Sequence, residues 1–337
     1  MNLNHNNSYN RQIRAWLKKN FEYTRYLSQQ SLKQRDCPVC ESAESAFFAN
    51  NGYLDYVQCR DCTLVYMNPT PDLAAVQQGF QGEDQLLMDY FKIIAQFRTA
   101  PSTGKPNPLL DNKLKDIYRH KSTGKLLDIG CSVGDFLHKA QHFYDVEGLE
   151  INPVTASIAE QNFRVHKDYL HNLIAGDFTQ FSKQYDIVSM HQILYGLPDP
   201  VGILKDIHTI LKEDGLLYIN TPNADSYAME LYRDKSCHLY GYTTLNVFNE
   251  RALSMMAERT GFEILSYRTE WLDIYLTDLA EFYDHPSRFI HKRNSHLDGY
   301  EEKLQQEDLF HKSLKLELGN RGNYLVAVLG KRGNHAA

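Results

Sequence analysis

The sequence predicts a doubly wound α/β fold, a mostly parallel sheet with helices on both faces, preceded by a small zinc ribbon-like module. Three observations carry this expectation. From about residue 109, short buried-strand patterns alternate with helical ones. A loop with two glycines, Asp128-Ile129-Gly130-Cys131-Ser132-Val133-Gly134, falls between a predicted strand and a predicted helix. Four of the six cysteines, Cys37, Cys40, Cys59 and Cys62, form C-x2-C-x18-C-x2-C, a spacing that suits a closed tetrahedral Zn2+ site. Such a site has no open position for water, so its role is structural and the chemistry lies elsewhere.

The elements follow in order. Residues 9–30 read as a basic amphipathic helix, with Ile13, Trp16, Leu17, Phe21 and Leu27 near helical spacing, within an N-terminal segment 1–32. The four-cysteine module spans 33–70, and Asn68-Pro69-Thr70-Pro71 ends it, because each proline biases its predecessor toward extended backbone and blocks ladder pairing. A helical segment and a Pro/Gly/Ser-rich linker occupy 71–108. The α/β domain covers 109–333: strands at 125–130, 145–150, 185–190, 216–220, FEILSY and 322–331, with helices at 200–212 and 249–260. An aromatic and charged insertion, 271–321, separates the last two strands and suits an acceptor lid or a homodimer contact.

Composition narrows the function. Hydrophobic content of 42% and charged content of 23% are ordinary for a soluble globular chain. No apolar run approaches the roughly 20 residues that span a bilayer, and MNLNHNNSYNRQ lacks the core of a secretory signal. The expected setting is a reducing cytoplasm, where paired thiols hold metal. Before Asp36, seven Lys or Arg stand against Glu22 alone, so that arm is +6 and the remainder −12. An acidic body argues against a broad nucleic-acid surface.

The glycine loop carries the chemistry. Gly130 and Gly134 permit a tight turn, and the following helix start offers N–H donors. Glu150 ends the next strand, where a carboxylate accepts hydrogen bonds from both ribose hydroxyls. The loop lacks G-x-G-x-x-G, and the acid Asp128 at the strand end disfavours pyrophosphate but suits the cationic ammonium of S-adenosylmethionine.

LLDIGCSVGDFL, VEGLEINP, YDIVSM, LPDP and LKEDGLLYINTPN resemble the class I S-adenosylmethionine-dependent methyltransferases over about 110–270 and the last strand. CPVC…VQCRDCTLVYMNPTP resembles the zinc-bearing N-terminal segment of a bacterial branch serving sugar, glycan and natural-product pathways. The resemblance implies a seven-stranded sheet and S-adenosylmethionine bound by Asp128, Gly130, Ser132 and Gly134 on the methionine side. It implies Glu150 at the ribose, Ile151 beside adenine, and Asp177 at the adenine amine, with Asp168 instead if the third strand is Arg-Val-His and 169–182 is an insertion. Ser189, His191 and Gln192 then border the cofactor and its methyl group. Gly196 stands where many relatives have histidine, which removes that base. The candidate bases are His238 first and His191 second. The implied acceptor is a small molecule, a hydroxyl or carbon of a sugar, glycan intermediate or natural product. The rival readings are an RNA methyltransferase gripping nucleic acid through the module and a non-catalytic cofactor-binding scaffold.

Overall fold

The computed structural model describes residues 22–98, 108–236, 238–239, 244–270 and 319–333. Ile13, Trp16, Leu17, Phe21 and nearly all of the 271–321 insertion lie outside them, as do Cys237, His285 and His291.

Helix α1 (22–28) buries Tyr23 and Leu27, four residues apart on one face. The aromatic segments of the cysteine module form β1 (Ser45–Asn50), β2 (Asp55–Cys59) and β3 (Val65–Met67), an antiparallel meander. The helical stretch expected over 72–98 is broken into α2 (Leu73–Gln78), a π-helical turn (Gly79–Glu83) and α3 (Gln85–Arg98). The break has two causes. Gly82 takes φ 113°, which no α-helix accommodates, and the Asp84 carboxylate accepts the Leu86 and Leu87 N–H groups to start a new helix.

The α/β part then runs α4 (Pro108–His120), β4 (Lys125–Ile129), α5 (Asp135–Ala140), β5 (Asp145–Leu149), α6 (Pro153–Ala159) and β6 (Arg164–His166). It continues with α7 (Leu170–Gly176), α8 (Phe178–Phe181), β7 (Tyr185–His191), α9 (Pro200–Ile210), β8 (Leu211–Pro222), α10 (Tyr227–Tyr232) and β9 (Asn246–Val247). Helix α11 (Glu250–Arg259), β10 (Phe262–Glu270) and β11 (Tyr324–Lys331) complete it. Seven strands form one sheet in the order β10-β11-β8-β7-β4-β5-β6. β6, β5, β4, β7 and β8 are parallel, and β11 runs antiparallel between β8 and β10.

Period-two alternation sorts the sheet's side chains between its faces. Leu127, Ile129, Val188, Met190, Leu217 and Ile219 pack with α9 and α11. Leu126, Ile187, Leu216, Tyr218 and Val326 pack with Ile117 of α4 and Phe136 of α5. Strands covered on both faces read as continuous apolar runs, which is why they were legible from sequence.

The cysteine module does not close on itself. Its sheet has the order β1-β2-β3-β9, and β9 comes from the α/β part, with Val65 opposite Val247 and Tyr66 opposite Asn246. The expected boundary near residue 70 therefore marks a change in sequence character, while the backbone pairing runs across it.

Candidate active site and thiolate cluster

β4 delivers its last residues into a loop that only unusual backbone can make. Gly130, Ser132 and Gly134 have φ of 73°, 53° and 87°. A Cβ on Gly130 would overlap the Ile193 side chain, so the close approach itself requires glycine there. The Gly130 and Cys131 N–H groups donate to Leu149 O at 2.7 and 3.1 Å, folding the loop onto the end of β5. Cys131 is buried beneath it, its thiol pushed well up by that burial. Ser132 occupies the left-handed region that glycine tolerates freely. Ser132→Gly should therefore keep cofactor affinity, whereas β-branched Ser132→Val should cost about 1–3 kcal/mol in a denaturant titration.

Two buried carboxylates flank this loop at the carboxyl ends of adjacent strands. Asp128 accepts the Ser189 hydroxyl at 2.7 Å, across the β4–β7 pairing. His191 Nε2 lies 3.6 Å from the same Asp128 oxygen, and its ring packs against Phe136 and Tyr218 at 4.3 and 5.1 Å. Glu150 spends one oxygen on each side: Oε2 accepts the Ser132 N–H at 2.9 Å and Oε1 the Asn152 N–H at 2.8 Å. The carboxylate thus pins the loop to the start of α6. Ile151 is half-buried beside it.

Asn152 is a residue that sequence reasoning passed over. Its side chain caps α6 by accepting the Val154 N–H at 3.0 Å, and its Nδ2 donates to Phe80 O at 3.1 Å. It ties the π-helical turn onto the end of β5. The signal was present as Asn152-Pro153, a capping residue followed by proline at the first helical position.

The third strand is Arg164–His166, one of the two conditions set for Asp168, and the stretch 169–182 carries α7 and α8. Asp168 follows β6 directly, its carboxylate accepting the Tyr169 N–H and the Asn172 amide. Asp177 sits between α7 and α8, fully exposed, capping Gln180 and Thr179. That capping bond is what holds its carboxyl below the ordinary range.

His238 belongs to a different group. Its ring meets Tyr324 edge-on at 5.2 Å, and Tyr324 pairs with Pro222 at the end of β8. Burial lowers its pKa to about 4, so the imidazole is neutral near pH 7, and Nε2 has no hydrogen-bond partner among the described residues. The cysteine module holds the backbone around it. Asn51 Nδ2 donates to Leu239 O at 2.7 Å, and the Tyr56 hydroxyl reaches Thr244 O at 2.8 Å.

The four cysteines meet as expected, with all four sulfurs within 4.8 Å of one another. Cys37–Cys62 and Cys40–Cys59 are each 3.4 Å apart. A Zn2+ tetrahedron with Zn–S bonds of about 2.3 Å has edges of about 3.8 Å, so the donor set fits that ion. The two halves are alike: the residue after each pair, Glu41 and Thr63, has φ 63°. Each turn closes on its first cysteine, Glu41 N–H to Cys37 O and Thr63 N–H to Cys59 O. The hydrogen bond from Cys62 pulls the Cys37 thiol down to about 5.

Part of this chain is similar to known proteins. Residues 106–267, just under half of the chain, match a family described as a methyltransferase domain. A ubiquinone biosynthesis O-methyltransferase of Actinobacillus pleuropneumoniae is 27% identical over 154 residues, 42% of this chain and 65% of that protein. One of the same description from Acinetobacter baylyi is 27% identical over 122 residues, 35% of this chain and 51% of its own. The chain thus spans less than two thirds of the length of these curated relatives. A solved SAM-dependent methyltransferase of Archaeoglobus fulgidus aligns over 72% of this chain and 99% of its own, at 18% identity and TM-score 0.45. Among the described residues no helix is long and apolar enough to cross a membrane. The matched segment, residues 106–267, holds the glycine loop and the five parallel strands of the sheet, and it is similar to methyltransferase domains.

Proposed function

We propose that this chain binds S-adenosylmethionine along the carboxyl edge of β4, β5 and β6 and transfers its methyl group to a small-molecule acceptor. The observation that carries the reading is the pair of buried carboxylates, Asp128 and Glu150, at the ends of adjacent parallel strands, joined by a loop that Glu150 itself pins. The cofactor supplies an electrophilic methyl group on a sulfonium. Asp128 provides the charge that a methionine ammonium seeks, and Glu150 keeps lone pairs for two ribose hydroxyls. Asp168, following β6, takes the adenine side in preference to the exposed Asp177. Ser189 holds Asp128 in place, and His191 lies 3.6 Å from the same acid, enclosed by Phe136 and Tyr218, which suits packing beneath the cofactor and not contact with an acceptor.

The acceptor class we favour is a hydroxyl on a sugar, glycan intermediate or natural product, with carbon as the alternative. The curated relatives carry the name O-methyltransferase, which supports oxygen. Methyl transfer is a linear displacement, so orientation and dryness around the nucleophile do most of the work. His238 is the proton acceptor in this reading. With its pKa lowered to about 4 it is a weak base, so the proton moves as the methyl bond forms, with no alkoxide beforehand. A labelled-methyl assay on fractionated metabolites and glycans tests the function: label in a small-molecule fraction supports it, and label only in RNA or in none overturns it.

Two results test His238. His238→Ala should lower turnover about 100-fold at unchanged cofactor affinity; full turnover removes it as the base. The folded pKa of about 4 lies below the ordinary 6.5. The neutral ring's contribution to stability is therefore intact above pH 6.5 and is lost as pH falls toward 4. His238→Gln should remove that part of the acid sensitivity in pH-dependent melting.

The four thiolates, on this reading, hold a structural Zn2+. The ion would supply cross-linking only, since four sulfur ligands complete its shell.

A further inference from the structure

A line of hydrogen bonds runs from helix α4 to the tip of β7, and its direction is fixed by chemistry. At its far end, the Arg268 guanidinium donates to Asp116 Oδ2 at 2.5 Å and to Glu270 Oε2 at 2.9 Å. The other oxygen of Glu270 accepts Asn220 Nδ2 at 3.0 Å. Asn220 Oδ1 in turn accepts Gln192 Nε2 at 2.6 Å. Asn220 is 3% exposed, so its amide has nowhere else to turn. Gln192 is only half-buried and stands directly after His191, where Asn220 O also takes its backbone N–H at 2.8 Å.

An ionised carboxylate accepts and never donates, and an amide has one accepting and one donating prong. Glu270 therefore dictates that Asn220 presents its NH2 toward it and its oxygen toward Gln192. That oxygen dictates that Gln192 turns its NH2 inward, leaving Gln192 Oε1 on the outward prong. The orientation of two amides, ordinarily ambiguous, follows from one acid. Gln192 also has φ 59°, a left-handed backbone uncommon for residues other than glycine. Strain of this kind at a strand tip persists where surrounding bonds over-determine it.

We propose that Asn220 and Glu270 are positioning residues that fix Gln192 as a hydrogen-bond acceptor, and that its Oε1 accepts a hydrogen bond from a polar group of the acceptor beside the nucleophile whose own proton goes to His238. This rests on the methyltransferase reading above and sharpens it: the substrate offers a protic group to Gln192, which orients the nucleophile's lone pair. Glu270→Gln makes a strong test, because Arg268 can only donate. The guanidinium would seize the oxygen of the new amide, whose NH2 would then face Asn220. Asn220 and Gln192 would then both turn over, opposed only by the weak 3.4 Å contact of Asn220 Nδ2 with Leu325 O. Gln192 would offer N–H where it had offered oxygen. The double variant Asn220→Asp/Glu270→Gln restores the original sense, since the new carboxylate on β8 accepts from both neighbours.

The experiment uses the full-length protein and, as acceptor probe, the metabolite fraction that takes label from the wild type. Glu270→Gln should lower kcat for that fraction on the order of 30-fold, the effect of one misdirected buried hydrogen bond. Affinity for S-adenosylmethionine in calorimetry should stay within about twofold. The double variant should recover most of the loss. Side-chain amide NMR in the S-adenosylhomocysteine complex supplies an acceptor-free readout. One Gln192 carboxamide proton should exchange slowly in the wild type, fast in Glu270→Gln, and slowly again in the double variant. Failure of the double variant to recover means that Glu270 acts only as a partner of Arg268, and the proposal falls. Weakened cofactor binding in Glu270→Gln means that Gln192 serves the cofactor, which also overturns it. A wild type that labels no fraction defeats the methyltransferase reading first, and the role of Gln192 with it, whatever the NMR shows.

Discussion

Replacing Glu150 with alanine is expected to weaken S-adenosylmethionine binding by about 100-fold or more. Its two oxygens hold the Ser132 and Asn152 N–H groups at 2.9 and 2.8 Å. A hydrogen bond to a charged group is worth about 1.5–3 kcal/mol, so the loss combines a missing ribose contact with a loop freed at both ends. Asn152 would lose its backbone anchor, and with it the tie to Phe80 O would loosen. Glu150 is 6% exposed, and the cavity left by alanine would strand the buried Asn152 N–H and the half-buried Ser132 N–H. Glu150→Gln is the informative control. Its amide keeps one acceptor for Ser132 but turns a donor toward the other N–H, so affinity should fall partway. Isothermal calorimetry reads both variants, and circular dichroism verifies that they fold. Unaltered affinity in Glu150→Ala would place the cofactor elsewhere in the chain.

The second large effect is expected from the thiolates. Removing the metal with a strong chelator, or making Cys62→Ser, should unfold the module and abolish methyl transfer while cofactor affinity changes less than about fivefold. Structural zinc contributes about 10–16 kcal/mol in small modules, comparable with the whole stability of a typical domain. The module also holds the His238 neighbourhood, through Asn51 to Leu239 O, Tyr56 to Thr244 O, and Arg35 to Leu245 O at 2.9 Å. The cofactor loop, by contrast, hangs on β4, β5 and Asn152, which the module does not touch through these bonds. Hydrogen exchange should therefore rise together over β1–β3 and residues 244–247, with the amides of 126–131 still protected. Elemental analysis gives the metal content. A metal-free protein with full activity would sink the structural role.

Much of this was legible in the chain because the physics was local. The strands around the glycine loop are buried on both faces, so burial and secondary structure coincide in one apolar run. Asp128, Gly130, Gly134 and Glu150 occupy a few consecutive turns of chain, and the cysteine pairs sit in two short knuckles. One stretch misled for an equally local reason. The run 72–98 has helical composition throughout, yet Gly82 and the capping Asp84 divide it. Asp177, in AGDF, caps α8 through its carboxylate, a contact visible only once that helix is built.

The sequence by itself determined the fold class, the glycine loop with its two acids, and the clustering of the four cysteines, since each depends on contacts within one element or its immediate neighbours. Tertiary structure decided what joins to what. β9, contributed by residues 246–247, makes the cysteine module part of the α/β body, and no pattern before residue 70 encodes that pairing. The sense of the Gln192 amide depends on Glu270, 78 positions away in sequence and on another strand. Such bonds form only once the sheet has assembled, because the polarity of an amide is set by the partner that the fold brings to it.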